Sequence, residues 1–326
     1  MNTKSLFNSA LIVAIALTLG LSSCKKRKAF KEEDGQTSED SRTAQSENDA
    51  SISDVNTEIG NNTLLHGRLV TPSEAAQVQK ALGVTAAAYT IDTTGAYTGT
   101  IKINYNGTTV NNRTRTGSIR LTIIDYALGK RWKNPGCVVK VDYLAYKVTR
   151  ASDGKSVQLD GTQNVTNISG SSWFELLFLP AHPSIITSVT GTGLNVTFDG
   201  SKTAVYNINR KFTYSLPNGI LTCTGEGIGS SDGVSNLENY GTTRDGDSFT
   251  SEVTTPIVWN WTCGAWAPIQ GEVNIKVQDK EFTLKCLFGT DASGNAVAVG
   301  SNSCPYGFKV QWSYKSKTNK KIFGYH

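Results

Sequence analysis

Histidine, methionine and closely spaced cysteines are scarce in this chain of 326 residues. The three histidines, His66, His182 and His326, lie far apart, and no cysteine pair has the short spacing of a zinc site. The sequence therefore predicts no metal and no cofactor. A G-x-S-x-G pattern spans 229–233, but no helix signal follows it and His326 is the single histidine downstream. We interpret it as a loop and not as a serine nucleophile.

The chain also lacks a strong charge of either sign, since 32 lysines and arginines nearly balance 27 aspartates and glutamates. The basic residues are scattered apart from short runs at 25–28 and 315–321. A nucleic-acid binder concentrates such residues on one face, so we expect no nucleic-acid partner. The run at 25–28 is interpreted as solvated charge or as a contact with anionic lipid headgroups.

A long apolar run is absent except at the N-terminus, where Lys4 precedes an apolar stretch that ends at Leu21-Ser22-Ser23-Cys24. A short positive region, an apolar region and small residues are typical of a secretory signal, and the stretch is too short for a permanent membrane span. The segment resembles the signal peptide and lipobox of bacterial lipoproteins. This resemblance implies removal of residues 1–23 and attachment of lipid, such as palmitate, to Cys24. The lipid would hold the protein on the outer membrane, in either the cell-surface or the periplasmic leaflet.

Apolar residues are scarce in the next segment, from Cys24 to about residue 63. Phe30 is the sole aromatic residue of this polar segment. Such a segment buries too little surface to offset the entropy of ordering. The sequence therefore predicts a lipid anchor and a disordered tether over 24–63.

One strong helix signal follows the tether. Thr71 can cap a helix while Glu74 reaches back to it, Pro72 suits the first turn, and Gly83 ends the pattern. We predict a short helix at 72–82.

Beyond this helix, apolar and polar residues alternate, most clearly at 101–105. A period of two is typical of strands with one buried and one solvated face. Turn signals such as Asn106-Gly107 separate the runs and indicate antiparallel hairpins. The predicted fold class is all-β, an antiparallel β-sandwich or a long bent sheet. It divides into two β-rich regions, 64–235 and 236–326, either as two related halves or as one domain.

The order of several turn and strand motifs carries a wider resemblance. The motifs are Arg113-Thr114-Arg115-Thr116-Gly117, Asn134-Pro135-Gly136 followed by Cys137-Val138-Val139, Gly161-Thr162-Gln163-Asn164-Val165-Thr166-Asn167, Thr254-Thr255-Pro256-Ile257-Val258, Cys263, Gly271-Glu272-Val273 and Cys304. Over most of residues 95–326 this order resembles a family of uncharacterised exported lipoproteins of Bacteroidota. The resemblance implies a shared β fold and an exported location, and it implies no activity.

Three tryptophans, Trp259, Trp261 and Trp266, lie close together near the end of one predicted strand. Aromatic faces that project from a sheet stack on sugar rings or on the apolar surface of a partner protein. We interpret these residues either as an exposed binding platform for carbohydrate or protein, or as core residues. The platform requires Trp259 and Trp261 to be accessible to solvent.

Five cysteines follow Cys24, and their odd number leaves at least one thiol unpaired. An exported location permits disulfides. Because Cys263, Cys286 and Cys304 flank or lie in neighbouring predicted strands, a Cys263–Cys304 or a Cys286–Cys304 bridge would tie these strands together.

The sequence thus predicts an anchored protein with a binding or structural role, and it does not identify the ligand. Catalysis is the less favoured hypothesis. Under this hypothesis the protein is an extracytoplasmic hydrolase that acts on glycans through two facing carboxylates. The candidates are Glu175, Glu226, Glu238 and Glu252. A buried group of acidic residues with His or Arg in one pocket would favour this alternative. The acidic turns at 245–247 and 291–295 lack the spacing of an EF-hand and are interpreted as ordinary turns.

Overall fold

The computed structural model describes residues 35–83, 88–264, 267–278, 280, 283–298, 303–314 and 317–325. The predicted signal peptide, Cys24 and Trp266 lie outside these residues. The helices are α1 Gly35–Asn61, α2 Thr63–His66, α3 Pro72–Leu82 and α4 Trp173–Phe178. Among the described residues, no helix combines the length and the apolar character that crossing a bilayer would require.

In the described part of the chain, fifteen strands form one antiparallel sheet. They are β1 Tyr89–Asp92, β2 Thr100–Val110, β3 Arg113–Ile123, β4 Cys137–Arg150, β5 Ser156–Asn167, β6 Ile185–Phe198, β7 Lys202–Ser215, β8 Thr222–Gly227, β9 Gly229–Ser231, β10 Val234–Thr242, β11 Ser248–Asn260, β12 Pro268–Val277, β13 Thr283–Thr290, β14 Gly307–Tyr314 and β15 Lys317–Gly324. Neighbours follow chain order except that β10 lies beside β7, while β8 pairs with both β7 and β11 and β9 pairs with β10. The predicted all-β class is confirmed.

The sheet curves around α1. Glu47 and Asp49 of α1 lie about 3 Å apart along the helix axis, and they contact Arg113 on β3 and Arg210 on β7 respectively. These two strands are four steps apart in the sheet, or roughly 19 Å if it were flat. Bulges interrupt the register of many strand pairs, including β3 with β4 and β5 with β6, and such bulges bend strands. The long bent sheet is therefore the form that the all-β fold takes.

The strands have the alternating burial that their sequences predict. Ile101, Ile103 and Tyr105 are buried on β2, and the residues between them are partly exposed. The buried faces of the strands and the apolar residues of α1 belong to one hydrophobic core.

Helix α3 has the limits and caps that its sequence predicts. The Thr71 hydroxyl accepts a hydrogen bond from Glu74 N–H at 3.2 Å, and the Glu74 carboxylate accepts one from Thr71 N–H at 2.7 Å. Gly83 follows the helix with a φ of +67°, in the left-handed region that glycine adopts without steric cost. The prediction of a helix at 72–82 is confirmed.

The prediction of a disordered tether over 24–63 is wrong for residues 35–61, which form α1. Seventeen residues of this helix are buried. Ile52, Val55 and Ile59 lie on one face and enter the core, and the polar residues find charged partners on the sheet. Composition alone suggested disorder because these partners are distant in sequence.

The expected boundary between regions 64–235 and 236–326 falls inside β10. This strand pairs with β7 on one side and with β11 on the other. Hydrogen bonding therefore continues across the boundary, and the sheet has no break there.

Candidate functional site

Helix α1 is held on the sheet by ion pairs. The helix carries six acidic residues and one arginine, and five of the acids face arginines of the sheet or its turns. The pairs are Glu39–Arg150 (3.6 Å), Asp40–Arg244, Glu47–Arg113 (2.6 Å), Asp49–Arg210 and Asp54–Arg115 (3.1 Å). Charge complementarity therefore runs along most of the helix.

Tyrosine hydroxyls extend the same contact. Tyr89 donates a hydrogen bond to Glu58 and Tyr105 donates one to Asp54, each at 2.7 Å. The Tyr143 hydroxyl lies 2.7 Å from the Ser51 hydroxyl. These contacts place the C-terminal half of α1 against β1, β2 and β4.

A fully buried charge network lies beneath the N-terminal half of α1. Glu238 of β10 contacts Arg42 of α1, lies 3.7 Å from Arg210 of β7 and accepts a hydrogen bond from Ser251 at 2.8 Å. Burial alone would raise the pKa of Glu238, but the two arginines together lower it below its usual value. Glu238 therefore stays ionised and fixes the positions of the Arg42 and Arg210 side chains.

For the acidic residues of α1, burial has a larger effect on the pKa than the arginine partners have. It raises the pKa of Asp40 to about 6 and the pKa of Asp49 to about 6, in spite of their arginine partners. It also raises the pKa of Asp54 and the pKa of Glu58. The helix consequently takes up protons at mildly acidic pH.

A cavity of about 170 Å³ lies between α1 and the sheet. Asp49, Ser53 and Asp54 of α1 line one side, and Arg113 and Arg115 of β3 line another. An apolar cavity of about 150 Å³ accommodates benzene, so this one has room for a single six-membered ring. A second cavity of about 90 Å³ adjoins it, since the two share residues of α1 and the sheet.

Aromatic residues form the wall that faces α1. Tyr214, Cys223 and Trp259 lie side by side on β7, β8 and β11 because the strand register places them opposite one another. Phe212 lies 6.2 Å from Trp259 and Tyr214 lies 6.2 Å from Trp261, measured between ring centroids. We call Phe212, Tyr214, Trp259 and Trp261 the aromatic wall.

The exposed tryptophan platform is contradicted at Trp259. Trp259 is 7 % exposed, and Trp261 is half-buried against Trp173 and Tyr214. Trp259 and Trp261 line the cavity instead, and Trp266 lies outside the described residues. The curvature of the sheet turns this face inward, which the sequence of a single strand does not reveal.

Cys263 and Cys304 form a disulfide, with Cα atoms 5.3 Å apart. This is one of the two predicted pairings, and Cys286 is a buried thiol on β13. Cys263 ends the short turn that begins at Trp261. The bridge therefore fixes the turn that carries one member of the aromatic wall.

The four glutamates considered for hydrolysis do not line the 170 Å³ cavity. They are Glu175, Glu226, Glu238 and Glu252. Glu175 caps α4 by accepting a hydrogen bond from Ser172 N–H at 2.7 Å, and Glu226 pairs with Lys211 at 2.7 Å. Glu238 belongs to the buried network, and Glu252 lies on β11 opposite a residue of β10. The acids that do reach the cavity belong to α1.

The remaining candidates have structural roles. Burial lowers the pKa of His66 to about 4, and His182 Nδ1 lies 2.8 Å from the Leu176 carbonyl oxygen. Ser231 ends β9 and leads into a turn, and His326 lies outside the described residues. The Asp291 carboxylate accepts backbone hydrogen bonds within its own turn. Among the described residues, no three His, Cys, Asp or Glu side chains gather as metal ligands would.

Sequence reasoning missed the residues of α1 that build the site. One signal was present, since Ile52, Val55 and Ile59 are spaced by three and four residues, as on one face of a helix. Asp40, Glu47 and Asp54 also recur at intervals of seven. Low overall hydropathy outweighed both signals.

No family model, no curated protein and no solved structure matches the chain.

Proposed function

We propose that the protein is a lipid-anchored binding protein of the outer membrane whose ligand site is the 170 Å³ cavity beside α1. The observation that carries the proposal is the aromatic wall, which faces the charged side of α1 across this cavity.

The lining favours a sugar ring as the ligand. The faces of Trp259 and Trp261 suit the C–H surface of a ring. Asp49 and Asp54 can accept hydrogen bonds from hydroxyl groups, while Arg113 and Arg115 can donate them. Small-molecule sites combine apolar walls with a few polar groups in this way.

The anchor is Cys24, and its position determines how far the body stands from the bilayer. Ten residues separate Cys24 from Gly35, and they reach at most about 36 Å when fully extended. A sugar-binding cavity so close to the membrane suits a ligand that is itself held at the cell envelope.

Filling the cavity tests the ligand site. We expect Ser53→Phe to abolish the heat of binding measured by calorimetry against a panel of neutral and acidic monosaccharides, because the new ring occupies the cavity. Thr37→Phe is the matched control, since it adds the same ring to α1 at a residue that does not line the cavity. If the wild type binds no sugar of the panel, or if Ser53→Phe binds as the wild type does, the proposed site is wrong.

The anchor is tested separately by Cys24→Ala. Cells fed labelled palmitate should incorporate label into the wild type, found in the outer-membrane fraction, and none into the variant. Protease treatment of intact cells then decides the leaflet, because only a surface-exposed body is degraded. Label retained in Cys24→Ala would contradict the anchor.

One observation favours hydrolysis as a second candidate function. Asp49 and Asp54 both line the cavity with raised pKa values, and a carboxyl group with a pKa near 6 suits a general acid. Their pairing with arginines favours a structural role instead. Turnover of chromogenic glycosides by the wild type, abolished by Asp49→Asn with binding retained, would establish the hydrolase and replace the binding role.

A further inference from the structure

Helix α1 matches the sheet by charge more than by apolar contact. Among its seventeen buried residues, the apolar side chains are those of Ala44, Ile52, Val55 and Ile59. Its acids outnumber its basic residues by six to one. The surface beneath it, which we call the arginine face, consists of Arg113, Arg115, Arg150, Arg210 and Arg244.

The carboxylates of α1 form a regular stripe. Asp40, Glu47 and Asp54 are spaced by seven residues, which places them on one side of a helix. Arg115 takes both of its ion-pair partners from this stripe, at 3.1 Å from Asp54 and 4.0 Å from Glu47. Three arginines of the face, Arg113, Arg115 and Arg244, thus contact acids at heptad spacing on a helix.

The docked helix leaves polar groups unsatisfied. Gln45 and Asn56 are 4 % and 2 % exposed, and both ends of each side-chain amide lack a hydrogen-bond partner among the described residues. A buried polar group without a partner destabilises the packed state, and buried ion pairs contribute little net stability. An acidic helix that also supplies apolar residues in place of Ile52, Val55 and Ile59 could therefore replace α1.

The connection to α2 allows such an exchange. Asn62 is the single residue between the two helices, and its side chain accepts hydrogen bonds from Leu64 N–H and Leu65 N–H at 3.1 Å. Trp132 N–H donates to the Leu65 carbonyl at 2.8 Å. The chain after Asn62 is thus held to the connection between β3 and β4, and Asn62 can serve as a pivot.

We propose that the arginine face is a binding site for an acidic helical segment of a partner protein, and that α1 occupies this site as an internal competitor. The partner presents carboxylates at heptad spacing, as Asp40, Glu47 and Asp54 do. The inference goes beyond the proposed sugar site, because its ligand is a protein segment, although Arg113 and Arg115 belong to both sites.

A labelled peptide of residues 35–61 tests the site in trans with the full chain. We expect weak binding to the wild type, measured by fluorescence anisotropy, because α1 already occupies the site. Ile52→Asp in the chain removes an apolar contact of α1 and should tighten peptide binding at least tenfold. An unchanged β-sheet circular dichroism spectrum shows that this variant remains folded.

Charge reversal makes the test specific. In the Ile52→Asp chain, Arg115→Glu should weaken binding of the wild-type peptide at least tenfold and restore binding of a peptide with Glu47→Lys and Asp54→Lys. Arg120→Glu is the matched control on the same strand, because Arg120 pairs with a carboxylate of β4 and not with α1. It should leave binding unchanged.

Three results would overturn the proposal. A folded Ile52→Asp chain that binds no peptide shows that the arginine face accepts no helix in trans. Equal binding of polyglutamate or polygalacturonate shows a general anion site. Dimers detected by light scattering, formed when two copies exchange α1, identify a second copy as the occupant in place of a partner protein. Sugar binding by the wild type is measured independently, so either proposal can fail alone.

Discussion

The docking of α1 on the sheet should weaken as the pH rises, because two of its carboxyl groups hold protons more tightly in the docked helix than in the released one. Burial raises the pKa of Asp40 and the pKa of Asp49 from 3.8 to about 6. Groups raised in this way contribute stability below pH 4, and that contribution is lost as the pH rises toward 6. The raised pKa values of Asp54 and Glu58 act in the same direction.

The magnitude follows from the two shifts. A shift of two units corresponds to about 3 kcal/mol per group over the whole range, and about half of this falls between pH 5 and pH 7.5. Asp40 and Asp49 together then change the free energy of docking by roughly 3 kcal/mol, or about a hundredfold in the population of released helix.

Hydrogen exchange read by mass spectrometry is the appropriate assay because it reports on α1 alone. A measurement of the free energy of unfolding of the whole protein would also include His66. The lowered pKa of His66, about 4, favours stability at higher pH. After correction for the intrinsic exchange rate, peptides from 35–61 should lose protection between pH 5 and pH 7.5, and peptides from β6 should not. Asp40→Asn with Asp49→Asn should reduce the difference and leave the part that Asp54 and Glu58 contribute, because asparagine does not titrate. Protection of wild-type α1 that is constant or rises with pH would refute the reasoning.

Three further predictions concern stability. Reduction of the Cys263–Cys304 bridge, which closes a loop of 41 residues, should lower the free energy of unfolding in urea by about 4 kcal/mol, and an unchanged urea midpoint would contradict this. Glu238→Gln should lower the free energy of unfolding by roughly 3–5 kcal/mol in the same assay, because it leaves two buried arginines without their shared anion. A decrease below about 1 kcal/mol, as for an exposed ion pair, would contradict this prediction. Gly117→Ala should lower the free energy of unfolding by at least about 2 kcal/mol. Gly117 has a φ of +83°, and a Cβ at this residue would lie 2.1 Å from a backbone carbonyl oxygen. The matched control Gly129→Ala, with a φ of +88° and no atom within 4 Å of its Cβ, should cost about 1 kcal/mol, and equal losses would contradict the steric argument.

The parts of the fold that could be predicted from sequence are those determined by neighbouring residues. The helix at 72–82 depends on its own caps, and the strands depend on alternation within each run. The packing of α1 depends instead on residues far away, such as Asp40 with Arg244, which lie 204 positions apart. The inward orientation of Trp259 likewise depends on the register of three strands, and no local pattern encodes it.

If Cys24 carries the proposed lipid, the docked helix also shortens the connection to the membrane. With α1 in place, the ten residues after Cys24 reach at most about 36 Å. With α1 released, the 38 residues from 25 to 62 would reach at most about 137 Å. The same exchange that opens the arginine face would therefore let the sheet move farther from the bilayer. A partner helix located away from the membrane would bind more readily, because the arginine face would be unoccupied and could lie closer to it. The two proposals thus meet in one segment, since residues 35–61 would both limit the distance to the bilayer and compete with a partner for the arginine face.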